Sequence, residues 1–199
     1  MTSIKWRTLA TDLVRKRTQM STESSFNQNS LKKVRINESI RLSPFDKFRN
    51  EALKWYQDPE NMRNIVGIET IYSKEQIKQM YHWQNEHGFL YYIEYRDGDC
   101  FQTIGDVWLA EDDYAIVIDQ AFQNRHIGRM VTKYFIYKAK KLGRERITVS
   151  EIFNWNEPSQ KMFTHLNFYP YKKQKDSWSY RKRLKNQHLR KKKIQFNVF

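Results

Sequence analysis

The sequence predicts an α+β domain around a mixed, mostly antiparallel sheet flanked by helices. Three observations carry this. Phe89–Tyr95, Thr103–Leu109 and Tyr114–Asp119 are β-prone runs separated by the turn residues Arg96-Asp97-Gly98-Asp99 and Glu111-Asp112-Asp113, so they read as a meander. The third run crosses a polar turn, Gln123-Asn124-Arg125-His126-Ile127-Gly128, into an amphipathic pattern that Gly143 terminates. Helical patterns also occur on both sides of this stretch, so strands and helices share one core.

In chain order, Val34–Leu42 alternates as a strand does, and Pro44 marks its end. Phe48, Ala52, Trp55 and Tyr56 fall at helical spacing, and Asp58-Pro59 is expected to stop that helix. A second helix is predicted over Ser73–Glu86: Ser73 followed by Gln76 is a capping-box pattern, and Gly88 lies just past the end. The meander follows, then the long helix ending at Gly143. Arg146–Phe153 is β-prone, Pro158–Leu166 helical, and Phe168–Lys173 with Trp178–Leu184 forms a final hairpin. The predicted order is β-α-α-β-β-β-α-β-α-β-β.

The chain of 199 residues fits one domain, with 15% aromatics to fill its core. Cys100 stands alone, which removes an intramolecular disulfide and suits a reducing cytoplasm. No apolar run approaches the ~20 residues that cross a bilayer, so no membrane role and a cytoplasmic location are expected. The net charge of +14 is concentrated at the ends: residues 1–33 and 172–199 are basic, and the stretch between them is close to neutral. The division expected is a basic leader and polar linker over 1–33, a domain over 34–184 and a basic tail over 185–199. Ile4–Arg17 has the pattern of a short basic amphipathic helix, and Gln19–Ser30 reads as linker, with Met20 as an alternative start. The basic ends, Arg190–Lys193 above all, allow weak electrostatic contact with nucleic acid or ribosomes; a solvated tail is the plainer reading. A homodimer is left open.

A helix that starts at a polar turn aims unpaired N–H groups and the positive end of its dipole at whatever precedes it, which is how phosphate and pyrophosphate are held. Gly128, without a Cβ, is expected to let the backbone come close. Gln123-x-x-His126-x-Gly128 resembles the pyrophosphate-binding turn of the GNAT (Gcn5-related) N-acetyltransferase superfamily, Gln/Arg-x-x-Gly-x-Gly/Ala. Asn156 to Phe168 resembles the same family's Asn-x-x-(Ser/Ala)-x-x-x-(Tyr/Phe)-x-x-x-Gly-Phe segment, with Ser159 and Phe163 in register. The resemblance covers Val34 to Leu184.

That resemblance implies acetyl-CoA as co-substrate and an amine acceptor that attacks the thioester directly. It places the pantetheine arm in a splay between Ala115–Asp119 and Ile147–Phe153, with the backbone of Ile116, Val117 and Ile118 beside it and an oxyanion contact near Ile118. Gln123, Asn124, Arg125, His126, Ile127, Gly128 and Arg129 would hold the pyrophosphate, and Asn156, Ser159 and Phe163 would border the coenzyme. Two carboxylates compete as proton acceptor: Glu151, five residues before Asn156, and Asp112, eleven before Gln123. Three departures from the family pattern stand out. Phe163 has no hydroxyl to protonate the departing thiolate, which directs attention to Tyr134 and Tyr137. His126 replaces the first glycine of the turn: a Cβ there is tolerable if the local φ is negative, and the imidazole then offers a further hydrogen bond to phosphate, a surface substitution being the plainer reading. Asn167 replaces the glycine before Phe168 and tolerates a left-handed backbone. Two other classes stay open, a coenzyme-binding protein without turnover and a nucleic-acid-associated module. The acceptor is expected to be chosen by the loop Gln57–Tyr72 and the last hairpin.

Overall fold

A computed structural model describes residues 31–184 and a two-residue strand at 197–198; the predicted leader helix, linker and Arg190–Lys193 lie outside the described residues. The strands are β1 (Val34–Arg35), β2 (Ile40–Pro44), β3 (Phe89–Asp97), β4 (Cys100–Leu109), β5 (Tyr114–Ile118), β6 (Arg146–Phe153), β7 (Tyr169–Lys173), β8 (Ser177–Arg183) and β9 (Asn197–Val198). The helices are α1 (Ala52–Tyr56), α2 (Pro59–Val66), α3 (Lys74–His87), α4 (Ile127–Lys141) and α5 (Glu157–His165), with a 3₁₀ turn at Gln120–Phe122. One sheet runs β5-β4-β3-β2-β1-β9 and a second runs β6-β8-β7. Every ladder among the described residues is antiparallel.

Period-two patterning explains how one sheet feeds two cores. In β3, Tyr91 and Ile93 face a cluster with Val131 and Phe135 of α4 and Phe163 of α5, while Leu90 and Tyr92 face a cluster with Trp55, Met62, Ile77 and Tyr81. The strand is therefore buried on both faces, which is why its run FLYYI is nearly continuous in apolar and aromatic residues. Each such side chain, taken fully out of water, contributes roughly 1.5–3 kcal/mol of transfer free energy.

Local structure departs from the sequence reading at three places. Val34–Leu42 is a tight hairpin, not one strand, and Val34 pairs with Leu42. The cause is Asn37, whose Oδ1 accepts the N–H groups of Ser39 (2.9 Å) and Ile40 (2.7 Å) and closes a turn in the middle of the alternating run. Asp58-Pro59 starts a helix where a stop was expected: Asp58 accepts the N–H of Asn61 at 2.7 Å, and Pro59 occupies the first helical position. The loop Gln57–Tyr72 thus contains α2. The third departure is β9, which pairs with β1 and brings part of the expected tail back to the sheet. The α3 capping box forms as predicted, with Gln76 N–H on Ser73 Oγ at 3.2 Å and Ser73 N–H on Gln76 Oε1 at 2.8 Å.

The second cluster encloses a carboxylate. Tyr56 and Tyr81 both donate their hydroxyls to Asp106 Oδ2, at 2.9 and 2.7 Å, and the residue is 3% exposed. Burial pushes its pKa up to about 6, and the two phenolic hydrogen bonds oppose this only in part. A carboxyl whose folded pKa lies above its ordinary value favours the protonated fold, so its contribution to stability is full below pH ~4 and is lost as pH rises through 6. Two pKa units correspond to about 3 kcal/mol. Asp106→Asn keeps an acceptor for the tyrosines without the charge. The expected result is a melting temperature equal to wild type near pH 3 and higher by several degrees at pH 7.5, read by calorimetry across that range; a constant difference would refute the assignment.

Candidate active site

β5 ends one sheet and β6 ends the other, and the two strands approach each other with no ladder between them. The cleft is pinned at one end. Asp113, just before β5, accepts the N–H of Ser150 in β6 at 2.9 Å and that of Tyr114 at 2.9 Å, so a side chain replaces the ladder there. Burial raises the Asp113 pKa to about 6, against the pull of these hydrogen bonds. From the pin, β5 runs toward the turn and α4, and β6 runs toward Asn156 and α5. The edge of β5 that faces β6 keeps backbone N–H and C=O groups without a sheet partner among the described residues, the condition under which an extended ligand adds as a strand would.

At the open end lies the predicted turn. Asp119 accepts the N–H of Ala121 (3.0 Å) to start the 3₁₀ turn, and Gln123 Nε2 donates to Ile118 O (3.0 Å), which folds the turn back on β5. Gln123, Asn124, Arg125 and His126 are exposed, and Ile127 and Gly128 are buried as α4 begins. The first N–H groups of α4 have no intrahelical acceptor and point out of this end. Asn124 and His126 take φ of 59° and 60°. The condition of a negative φ at His126 is therefore not met: the position takes the left-handed conformation, which explains the family's glycine and costs this chain ~1 kcal/mol. An offset comes from Arg129, which donates to His126 Nδ1 at 2.9 Å and to His165 Nε2 at 3.1 Å, tying turn, α4 and α5 together. Gly128 also acts differently from expectation. A Cβ there would lie 2.9 Å from Met162 Sδ and 3.3 Å from Ile118 Cδ1, so its missing side chain lets α4 sit against α5 and β5 and does not clear the turn itself. Beyond His165, Gln160, Lys161, Thr164 and Tyr180 line an open depression of about 450 Å³.

The remaining predicted residues divide between structural and chemical placement. Asn156 caps α5 through the N–H of Ser159 (3.2 Å) and donates to Asn64 O (3.3 Å), which links the end of α2 to α5. Phe163 is 2% exposed, with its ring edge-on to Tyr114 (6.2 Å) and Phe168 (5.1 Å), inside the first core cluster. Asn167 takes φ 61°, the left-handed backbone expected of it. Val117 faces the second cluster, and Ile116 and Ile118 pack against the first. Tyr134 is buried on α4, and burial raises its pKa to about 12, so its phenol keeps its proton. Both candidate bases flank the Asp113–Ser150 pin at the closed end. Asp112 is exposed in the turn. Glu151 is half-buried on a bulge of β6 and accepts the hydroxyl of Ser177 at 2.6 Å, so its carboxylate has a fixed orientation. Asp113, which holds the cleft together, was missed in the sequence reading, where an acidic turn gives no sign of which member turns inward to β6.

No curated protein matches the chain. Among solved structures, the fold is shared with a domain from Methanocaldococcus jannaschii DSM 2661 (TM-score 0.65, 21% identity, 73% of this chain and 98% of that one). It is shared as well with the ribosomal-protein-S5-alanine acetyltransferase of Vibrio fischeri (0.57, 16%, 77% and 97%). A third is the spermidine N-acetyltransferase of Vibrio cholerae in complex with CoA and spermine (0.58, 14%, 73% and 94%). No described helix is long and apolar enough to cross a membrane. The family model for the acetyltransferase (GNAT) domain matches residues 40–169, a span that contains the meander, the unpaired β5–β6 cleft, the turn and α5, so this chain belongs to the GNAT acetyltransferase family.

Proposed function

We propose that this protein moves an acetyl group from acetyl-CoA to a primary amine of a small molecule or of a peptide or protein N-terminus, by direct attack of the amine on the thioester. The observation that carries the reading is the cleft between β5 and β6, open along one strand edge, closed by Asp113 and leading straight to the N-terminus of α4. Acetyl-CoA brings the activated acyl group. The exposed turn Gln123–His126 and the first N–H groups of α4, with Arg125 and Arg129, take the pyrophosphate. The β5 backbone from Ile116 to Ile118 receives the pantetheine amides and steadies the carbonyl oxygen as it gains charge. Glu151, aligned by Ser177 near the closed end, accepts the proton that the amine loses, through water. Asp112 lacks any such alignment. Because Phe163 has no hydroxyl and Tyr134 is buried with a phenol that keeps its proton, the thiolate leaves unassisted or takes a proton from solvent.

The fold neighbours named above suggest the amines to try first. Acetyl-CoA is incubated with spermidine, spermine, free amino acids and short peptides with N-terminal alanine, and release of coenzyme thiol is followed. At least one amine is expected to raise the rate well above hydrolysis. Tight acetyl-CoA binding with no amine giving turnover would leave a coenzyme-binding protein instead.

A further inference from the structure

The sheet β6-β8-β7 has one face in the core; its other face is covered near Phe153, Ser177 and Ser179 and open at the opposite end. Ile147, Val149 and Tyr180 face inward, and their cross-strand register (Ile147 with Lys182, Val149 with Tyr180) puts the alternate residues outside. Those residues are Arg146 opposite Arg183, Thr148 opposite Arg181, and Arg181 opposite Tyr169. Tyr169 and Tyr171 are 37% and 39% exposed, and the Arg181 guanidinium lies 4.1 Å from the centre of the Tyr171 ring and 5.7 Å from that of Tyr169. None of the three arginines is in an ion pair among the described residues. The acids on or next to these strands are the exposed Glu145 just before β6, Glu151 within β6, whose carboxylate accepts the Ser177 hydroxyl, and Asp176 in the β7–β8 turn.

Two like charges directly opposite each other on a sheet are unfavourable unless something of the other sign sits over them. We infer that this outer face binds single-stranded nucleic acid, with the open sides of Tyr169 and Tyr171 stacking bases, Arg181 backing the Tyr171 ring, and Arg146 and Arg183 meeting phosphates. Three strands ~4.8 Å apart give room for two or three nucleotides. An acidic peptide would satisfy the arginines but leave the two rings unused. A second copy of the chain paired two-fold through this face would bring arginines against arginines. The chain beyond Leu184 adds Lys185 and Arg190–Lys193, so the sequence that leaves β8 carries the same charge.

The proposal is independent of the acetyl-transfer reading and is tested on the full chain with a fluorescein-labelled 12-nucleotide oligouridine by anisotropy. Binding is expected at low salt, weakening steeply as salt rises. Tyr169→Ala with Tyr171→Ala should weaken it roughly tenfold or more, whereas Tyr169→Phe with Tyr171→Phe should keep it, since the stacking surface remains. The circular dichroism spectrum and melting temperature should not change in either variant, which checks that both fold. No binding at low salt, or undiminished binding by the double alanine variant, overturns the inference; in the second case the charge of the chain ends alone holds the RNA. Equal affinity for a blunt duplex of the same length would also overturn it, because paired bases cannot stack on the rings.

Discussion

Glu151→Gln is expected to lower turnover by roughly 10²–10⁴-fold, the usual worth of a positioned proton acceptor, while acetyl-CoA affinity stays near wild type. The amide preserves the size of the side chain and an oxygen for the Ser177 hydroxyl, now at 2.6 Å from Glu151 Oε1, so the β6 bulge has no reason to move. What disappears is the ability to take a proton. The loss should be largest below the acceptor amine's pKa, where a proton must leave before attack. Asp112→Asn, at an exposed turn position, should change turnover little. If the Glu151 variant keeps full activity and the Asp112 variant loses it, the roles are reversed; if both are silent, the proton goes directly to water.

Gly128→Glu is expected to abolish acetyl-CoA binding, and Gly128→Ala to weaken it only a few-fold. The alanine Cβ meets Met162 Sδ at 2.9 Å, and the free end of a methionine can swing away. A glutamate has to push α4 and α5 apart or turn out beside the helix N-terminus, where its charge competes with the pyrophosphate for the same N–H groups. Titration calorimetry on both variants, with circular dichroism as a control for folding, separates loss of the site from loss of the domain. A folded Glu variant with unchanged affinity would move the coenzyme elsewhere.

How far the sequence could be read depended on whether the deciding interaction was local. The α3 capping box, the end of α4 near Gly143 and the left-handed Asn167 each follow from residues a few positions apart, and all three occur. The turn before α4 was legible because a polar stretch between a β-prone run and an amphipathic run has few other uses. The hairpin at Asn37 was not, since its alternating flanks satisfy a single strand equally well until the side-chain hydrogen bonds are seen. Asp58-Pro59 is ambiguous in the same way, as the dipeptide serves both to end one helix and to start the next. Within the site, the β5–β6 cleft was inferred by resemblance, but its fastening was not. Asp113 is set apart from the exposed Glu111 and Asp112 by being half-buried and by a bond to a residue 37 positions away. The function of Gly128 was read as approach to a ligand, where the actual neighbour is Met162, again distant in sequence.

The central claim is that acetyl-CoA lies along β5 with its pyrophosphate at the start of α4, and amide hydrogen exchange with and without saturating acetyl-CoA tests it most directly. The account predicts slowed exchange at Asn124–Arg129 and along Ile116–Ile118, with little change in β1, β2 and the outer face of β7. Unchanged exchange over residues 116–129 together with new protection elsewhere would contradict it.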